Sequence, residues 1–180
     1  MNSSLLWIHL LYDVTKKGEK LPETTLLDDS GKSVNLNEEI AKQKTVLVFY
    51  RGGWCPYCNT QLAGLAATEK DIVELGYQVI AVSPDDYRNL KPAEEKNNTN
   101  YKLYSDADGS FIKSIGIGFT PNERTSNYIA KKTIGKTTEV LPVPTVLVLN
   151  TEGEILFEYI SPNYKQRISP ELLLAVLKNL

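Results

Sequence analysis

The residues of this chain best suited to chemistry are Cys55 and Cys58, in the run Tyr50-Arg51-Gly52-Gly53-Trp54-Cys55-Pro56-Tyr57-Cys58. A disulfide requires Cβ atoms about 3.5–4.5 Å apart. Two cysteines one helical turn apart share a face and can meet that condition. At the mouth of a helix the first sulfur meets unpaired N–H groups and the positive end of the macrodipole. Both favour an anion, and cysteines so placed titrate at about 3.5–7.5 instead of ~8.5. Pro56 fits the first helical turn, where its missing N–H costs nothing, and it stiffens the turn between the sulfurs. Gly52 and Gly53 let the backbone leave the preceding strand sharply and keep the approach to Cys55 open. Trp54 offers an apolar surface beside the sulfur, and Tyr57 completes the dipeptide between the cysteines. Cys55 is therefore the expected attacking thiol and Cys58, one turn further in, its more buried resolving partner. The bland alternatives are two reduced core cysteines or half of a metal site. Position decides between them, because a pair directly after a buried strand and opening a helix reads as a redox dithiol.

The elements that must hold this pair are visible in the hydrophobic pattern. Thr45–Tyr50 is a continuous apolar, β-branched run, as expected of a strand covered on both faces. The helix opened by Cys55-Pro56 extends to about Leu75, with Leu62, Leu65, Ala66, Ile72 and Leu75 at helical spacing and Gly76 just past its end. Tyr77–Val82 is a second buried strand. A polar helix from Ser83 to about Asn97, a strand at Lys102–Ser105 and a helix at Ser110–Ile115 follow. Ahead of these lie Thr24–Leu27 and Ser33–Leu36, a hairpin about the turn Asp28-Asp29-Ser30-Gly31, and a short helix near Asn37–Ala41 capped by Asn37. Residues 116–139 carry a weak pattern and are expected to be irregular. Pro142–Leu149, the turn at Asn150–Gly153 and Glu154–Tyr159 form an antiparallel hairpin. Ser169 and Pro170 then open a closing helix expected to bury Leu172, Leu173, Val176 and Leu180. Alternating strands and helices predict an α/β fold, with an N-terminal arm or helix over 1–17 and a single domain over 18–180.

Composition narrows the function classes. With 180 residues, 42% of them apolar, the chain has the content for one sizeable core. Lys plus Arg number 20 against 22 Asp plus Glu, so there is no basic excess and no nucleic-acid partner is expected. Two cysteines and one histidine, His9, cannot furnish the usual four ligands of a structural zinc site, and no metal is expected. No apolar run reaches the ~18 residues of a membrane span, so no membrane partner is expected either. Leu5–Tyr12 has the hydropathy of a short signal core but lacks a basic stretch before it and a small-residue cleavage site after it. A cytoplasmic location is the reading, with periplasmic export left open. Asn97-Asn98-Thr99 is read as a helix end, Lys91–Lys96 as a solvated face, and Glu69 and Asp71 as exposed. No carboxylate is marked by sequence as a buried proton acceptor for Cys58.

From about Gly18 to Leu180 the chain resembles the thioredoxin-fold superfamily. Within it, the chain is similar to the peroxiredoxin-like (alkyl hydroperoxide reductase/thiol-specific antioxidant) group of bacterioferritin-comigratory type. The resemblance is carried by Gly18-Glu19-Lys20-Leu21-Pro22, the Asp28–Leu36 hairpin, the strand into Cys55, Val79-Ile80-Ala81-Val82-Ser83-Pro84-Asp85, and Leu103-Tyr104-Ser105-Asp106-Ala107-Asp108-Gly109. It implies a mixed central sheet flanked by helices, with the N-terminal hairpin as an extension. It also implies that Cys55 attacks a hydroperoxide to form a sulfenic acid that Cys58 condenses to a disulfide. A thioredoxin- or glutaredoxin-type thiol would reset the pair, with no bound cofactor and a monomer or weak homodimer as the expected state. The sequence departs from the family at three places. Val48 and Gly52 stand where peroxiredoxins have a proline and a Thr or Ser, and Val143 stands where they have an arginine. Arg51 and Arg167 are candidate substitutes, with a solvated surface position as the alternative for each.

Cys-Pro-Tyr-Cys is the glutaredoxin-like dipeptide, and Val143-Pro144-Thr145 resembles the thioredoxin substrate loop. A cis Val143–Pro144 bond is expected there, although only about 5–6% of X-Pro bonds are cis. The backbone beside it would pair with an extended substrate, whereas the plain alternative is an edge-strand proline. The leading expectation is a hydroperoxide-reducing Cys55–Cys58 cycle. Its rivals are protein thiol–disulfide exchange without a peroxide step, and a redox sensor that does not turn over.

Overall fold

The computed structural model describes residues 14–135 and 139–180. Of the arm expected over 1–17, residues 1–13, with Leu5–Tyr12 and His9, lie outside them. The described residues build a seven-stranded sheet in the order β2-β1-β5-β4-β3-β8-β9. Its strands are β1 (Thr25–Leu27), β2 (Ser33–Asn35), β3 (Lys44–Phe49), β4 (Tyr77–Ser83), β5 (Lys102–Ser105), β8 (Thr145–Leu149) and β9 (Ile155–Ile160). β3 pairs in parallel with β4, and β4 with β5. β8 runs antiparallel to β3, and β9 to β8. The expected N-terminal hairpin is β1–β2, joined to the sheet through Leu27 opposite Ser105.

Side chains of β3 alternate between two cores, which explains its unbroken apolar run. Val46, Val48 and Tyr50 face one layer with Leu62, Leu65, Ile72, Leu90, Leu173 and both cysteines. Leu47 and Phe49 face the other with Leu36, Ile40, Phe111 and Ile112. The first layer is covered by α2 (Pro56–Glu74), α3 (Leu90–Asn97) and α6 (Pro170–Leu177). The second is covered by α1 (Leu36–Lys42) and α4 (Ser110–Ser114). Each fully buried Val, Leu, Ile or Phe contributes about 1.5–3 kcal/mol, so the strand that delivers the dithiol is among the best anchored in the fold.

Several expectations change in detail. Asn35, not Asn37, caps α1, its side chain accepting from the N–H groups of Asn37 and Glu38. Asn37 instead accepts from the Thr24 N–H at 2.9 Å and ties the hairpin to the helix. The helix expected from Ser83 begins later, as a 3₁₀ turn at Tyr87–Asn89 leading into α3. In α6 the buried residues are Leu173 and Leu177, whereas Leu172 and Leu180 are exposed. The Pro142–Leu149 strand is divided: β7 (Leu141–Pro142) pairs with β6 (Gly118–Phe119) in a separate two-stranded sheet.

The largest correction lies in the segment expected to be irregular. It contains β6 and a ten-residue helix, α5 (Glu123–Lys132). Asn122 caps α5 by accepting from the Thr125 N–H at 2.9 Å, and Lys131 and Lys132 lie in the last turn, where cations oppose the dipole. Only Ile129 of this helix is buried, and its composition is polar overall, so it does not stand out as a core-facing element. Among the described residues no helix is long and apolar enough to cross a membrane.

Candidate active site

β3 ends at Phe49, and Tyr50 still donates its N–H to Val82 O at 3.0 Å, so the chain remains locked to β4 until it turns. Gly52 makes the turn with φ +147, a conformation that L side chains rarely adopt. A Cβ placed there would stand 2.3 Å from Trp54 Nε1 and 2.6 Å from Asp85 Oδ1. Gly52 is therefore more than a permissive hinge: the space a side chain would need is already taken. Gly53 is held on both sides of its peptide. Its N–H donates to Asp85 Oδ2 at 2.8 Å, and its carbonyl accepts from Asn59 Nδ2 at 2.9 Å. Asn97 in turn donates to Asn59 Oδ1 at 3.0 Å, which links the loop to α3. Cys55 then occupies the N-cap of α2, and Pro56 its first turn.

Both cysteines are reduced and buried, Cys55 being 1% exposed and Cys58 fully covered. Their environments push them in opposite directions. The hydrogen bond from the Cys58 thiol, helped by the Cys58 N–H and the charges of Arg51 and Arg167, lowers Cys55 to about 6 despite its burial. Burial pushes Cys58 well up, and its role as donor to Cys55 adds to that. The Arg51 N–H donates to Cys58 Sγ at 3.3 Å, and Arg167 Nη2 approaches the same sulfur at 3.4 Å. The pair is thus split into one thiolate and one thiol at neutral pH, with the thiolate on the cysteine nearer the helix mouth.

Arg51 is 8% exposed, not a solvated surface residue. Its guanidinium lies between the Trp54 ring at 5.0 Å and the Tyr164 ring at 4.6 Å, a double cation–π arrangement. Tyr164 packs edge-on against Tyr57 at 5.7 Å, and Trp54 against Tyr128 at 6.0 Å. Arg167 is aimed at the dithiol by Gln61, which accepts from its Nε at 3.0 Å, and by the Tyr164 carbonyl, which accepts from Nη1. Neither arginine carries over from a family motif, and only three-dimensional packing reveals the contact with Cys58.

A cleft of about 450 Å³ leads to Cys55 and is lined by Arg51, Trp54, Pro56, Tyr57, Tyr128 and Tyr164 among others. The structure therefore brings six of the expected site residues together: Arg51, Trp54, Cys55, Pro56, Tyr57 and Cys58. Val143, Pro144 and Thr145 do not line this cleft. They lie at the entry to β8, where Thr145 is opposite Phe49. The Val143 N–H donates to Ile117 O, and the Pro144 carbonyl accepts from the Ser161 N–H. No peptide bond among the described residues is cis, so Val143–Pro144 is trans. Pro144 precedes the first ladder residue, where no backbone N–H is required of it, and a trans proline is accommodated without loss.

The residue missed by sequence reasoning is Asp85. It is 5% exposed, and burial raises its carboxyl to about 6, with the charges of Asp86 and Cys55 adding to the shift. Its position two residues past the end of β4, in Ser83-Pro84-Asp85, was a usable signal, because the carboxyl end of a central parallel strand lies beside the end of β3. On the other side of Trp54 a second cleft of about 400 Å³ includes Asp85, Lys96 and Lys132 in its lining.

Comparison with known proteins completes the picture. The chain is 31% identical over 99 residues to peroxiredoxin bcp1 of Schizosaccharomyces pombe, covering 55% of this chain and 51% of that one. It is 31% identical over 108 residues to the chloroplastic peroxiredoxin Q of Arabidopsis thaliana, covering 60% and 50%. The chain thus spans about half the length of these curated relatives. The crystal structure of reduced Prx3 from Vibrio vulnificus in complex with hydrogen peroxide superimposes with a TM-score of 0.78 at 20% identity, over 91% of this chain and 99% of that one. That likeness, together with the mixed sheet flanked by helices, is the thioredoxin fold expected from the sequence. Residues 17–157, from the segment before β1 into β9, match the AhpC/TSA family, and the chain belongs to that family.

Proposed function

We propose that the protein is a thiol-dependent peroxidase working through a Cys55–Cys58 cycle. The observation that carries this reading is the asymmetry of the pair, a thiolate at Cys55 held by the Cys58 thiol and two arginines. The Cys55 thiolate attacks the distal oxygen of a hydroperoxide, the O–O bond breaks, and the alkoxide leaves with a proton as the alcohol. Cys55 becomes a sulfenic acid, two electrons oxidised. Cys58 then attacks that sulfur, water departs with the Cys58 proton, and the disulfide forms. An external dithiol of thioredoxin or glutaredoxin type restores both thiols by exchange. Residues 18–180 act as one unit in this cycle, in the cytoplasm, as a monomer or weak homodimer without a bound cofactor. Exchange with protein disulfides alone is the less favoured reading, since the relatives are named peroxiredoxins.

The test is stopped-flow oxidation of the reduced protein by hydrogen peroxide. Second-order rates of ~10⁴ M⁻¹s⁻¹ or faster lie within the ordinary enzymatic range and support the peroxidase. Cys55→Ser should abolish peroxide consumption, and Cys58→Ser should consume one equivalent and then require a monothiol to turn over. Slow oxidation with rapid reduction of insulin disulfides would overturn the proposal in favour of exchange.

A further inference from the structure

Between α2 and the segment Lys165–Pro170 lies a third cleft, of about 330 Å³, that neither cysteine lines. It stands beside a glycine in the middle of a helix. Gly64 of α2 faces Pro170, and a Cβ built on it would already meet Pro170 Cγ at 3.4 Å. An interior helical glycine costs about 1 kcal/mol against alanine, so the fold omits a side chain at the one place where it would fill this space. Leu65, Ile168 and Pro170 give the cleft apolar walls, and among the described residues no carboxylate lines it. The polar groups it does have are donors. Gln61 is nine-tenths buried, and its acceptance of the Arg167 Nε–H at 3.0 Å fixes which end of the amide is oxygen. The Nε2 end is left at the cleft wall without an acceptor among the described residues. Arg167 has five N–H groups to place. Nε donates to Gln61, Nη1 to the carbonyls of Tyr164 and Gln166, and Nη2 to Cys58 Sγ at 3.4 Å. One N–H of Nη2 remains, and among the described residues no carboxylate lies within ion-pair distance of this arginine.

We infer that this cleft is a binding site for a small organic carboxylate, coupled to the redox state of the dithiol. The apolar body lies against Leu65, Ile168 and Pro170, and the carboxylate accepts from Arg167 and Gln61. Coupling follows from the shared guanidinium. In the reduced protein Arg167 serves the sulfurs, and their negative charge competes with the ligand for it. In the disulfide that charge is gone and the guanidinium turns to the ligand. The carboxylate therefore binds the oxidised protein more tightly, and by reciprocity it favours the disulfide. The site is separate from the cleft that leads to Cys55, and its occupancy requires no peroxide turnover.

The test titrates 3-phenylpropionate into the disulfide and dithiol forms, followed by NMR shifts of backbone and side-chain amides, with 3-phenylpropionamide as the neutral control. The oxidised protein should bind the acid roughly three- to fivefold more tightly than the amide, the upper range for an exposed ion pair, with shifts centred on Gln61 and Ile168. The acid should bind the oxidised form about threefold more tightly than the reduced form, which at saturation lowers the reduction potential by ~14 mV, at ~30 mV per tenfold for a two-electron couple. Arg167→Met should abolish the preference for acid over amide. Gly64→Leu, which fills the cleft and removes no polar group, should abolish binding of both. Equal affinity for acid and amide, or for the two redox forms, overturns the inference. Unchanged binding by a folded Gly64→Leu protein also overturns it, by placing the ligand in another cleft. Should Gly64→Leu fail to fold, Arg167→Met decides alone. A protein that binds as described and reduces no peroxide keeps this inference and loses the peroxidase reading.

Discussion

The state of Cys55 can be tested by removing the group that contributes most to it. The hydrogen bond from Cys58 is the largest influence holding Cys55 at about 6, ahead of the charges of Arg51 and Arg167. Cys58→Ala deletes that donor, whereas Cys58→Ser substitutes a hydroxyl that can still donate. With a pKa of about 6, about 90% of Cys55 is thiolate at pH 7; at the ordinary value of ~8.5 the figure is about 3%. The loss of nucleophile is therefore about 30-fold. A more basic thiolate is also a better nucleophile, with a Brønsted slope of ~0.4–0.5, which over ~2.5 units returns a factor of roughly ten or more. At neutral pH the two effects nearly cancel, and the rate should fall only about two- to threefold. The pH midpoint is the informative readout. Thiolate absorbance and alkylation of Cys55 by iodoacetamide should both show a midpoint near pH 6 in the native protein, above pH 8 in Cys58→Ala, and between the two in Cys58→Ser. If Cys58→Ala still titrates near pH 6, the arginines alone hold the thiolate and the account of a split thiol pair is wrong.

Other consequences follow from the same geometry. The folded-state pKa of Asp85, about 6, lies above its unfolded ~3.9, so the native state binds more protons between these values and stability falls as pH rises through 6. Asp85→Asn should gain up to about 3 kcal/mol at pH 8 and nothing at pH 4 by urea titration, and a gain of equal size at both pH values would contradict the burial argument. Gly52→Ala places a Cβ 2.3 Å from Trp54 Nε1 at φ +147. It should cost at least ~1–3 kcal/mol, and a loss under ~0.5 kcal/mol would show that the turn is roomier than described. Arg167→Met removes the cation at Cys58, and a neighbouring charge moves a pKa by about 1–3 units. Disulfide closure after peroxide addition should slow by about tenfold at pH 7, and unchanged closure would remove Arg167 from the resolving step. With Cys55 ionised and Cys58 protonated, the reduction potential should change by ~30 mV per pH unit near pH 7–8, half the ~59 mV expected when both thiols carry protons.

The central strands and the dithiol were legible because each rests on a short-range signal. β5 has the bounds expected of it, and α2 begins at the expected Pro56 and ends within one residue of the expected Leu75. Buried strands announce themselves by composition, and Cys-Pro-Tyr-Cys by spacing. Helix α5 was not legible, because its ten residues are mostly polar and only one of them, Ile129, is buried. The same helix supplies Arg124, Thr125 and Tyr128, so one side of the cleft was hidden with it. Asp85 escaped because its burial depends on Gly53 and Ser105 meeting it from other elements, the Ser105 hydroxyl donating to Asp85 O at 2.5 Å. Leu172 shows the opposite case: it is apolar and helical yet exposed, because the sheet face it would need is already covered by Leu173 and Leu177.

The departures from the family pattern become physically coherent once the arginines are placed. Gly52 cannot be exchanged for a hydroxyl residue without displacing the Trp54 indole and the Asp85 carboxyl that fill its Cβ position, so no donor to Cys55 can come from that side. Val143 has its backbone committed to Ile117, and no cation reaches the sulfur from the β8 entry. The positive charge arrives from elsewhere, Arg51 immediately after β3 and Arg167 just before α6, and the hydrogen-bond donor arrives from Cys58 itself. Using the resolving thiol as the donor has a chemical consequence. Once Cys55 is oxidised to a sulfenic acid the thiolate acceptor is gone, and with it the bond and the negative charge that had raised Cys58. The Arg167 charge and the Arg51 backbone N–H then remain beside Cys58, and both favour its ionised form. The proton that guarded Cys55 before the first step is therefore easier to lose after it, and the order of the two nucleophiles is set by the site without a separate base for each.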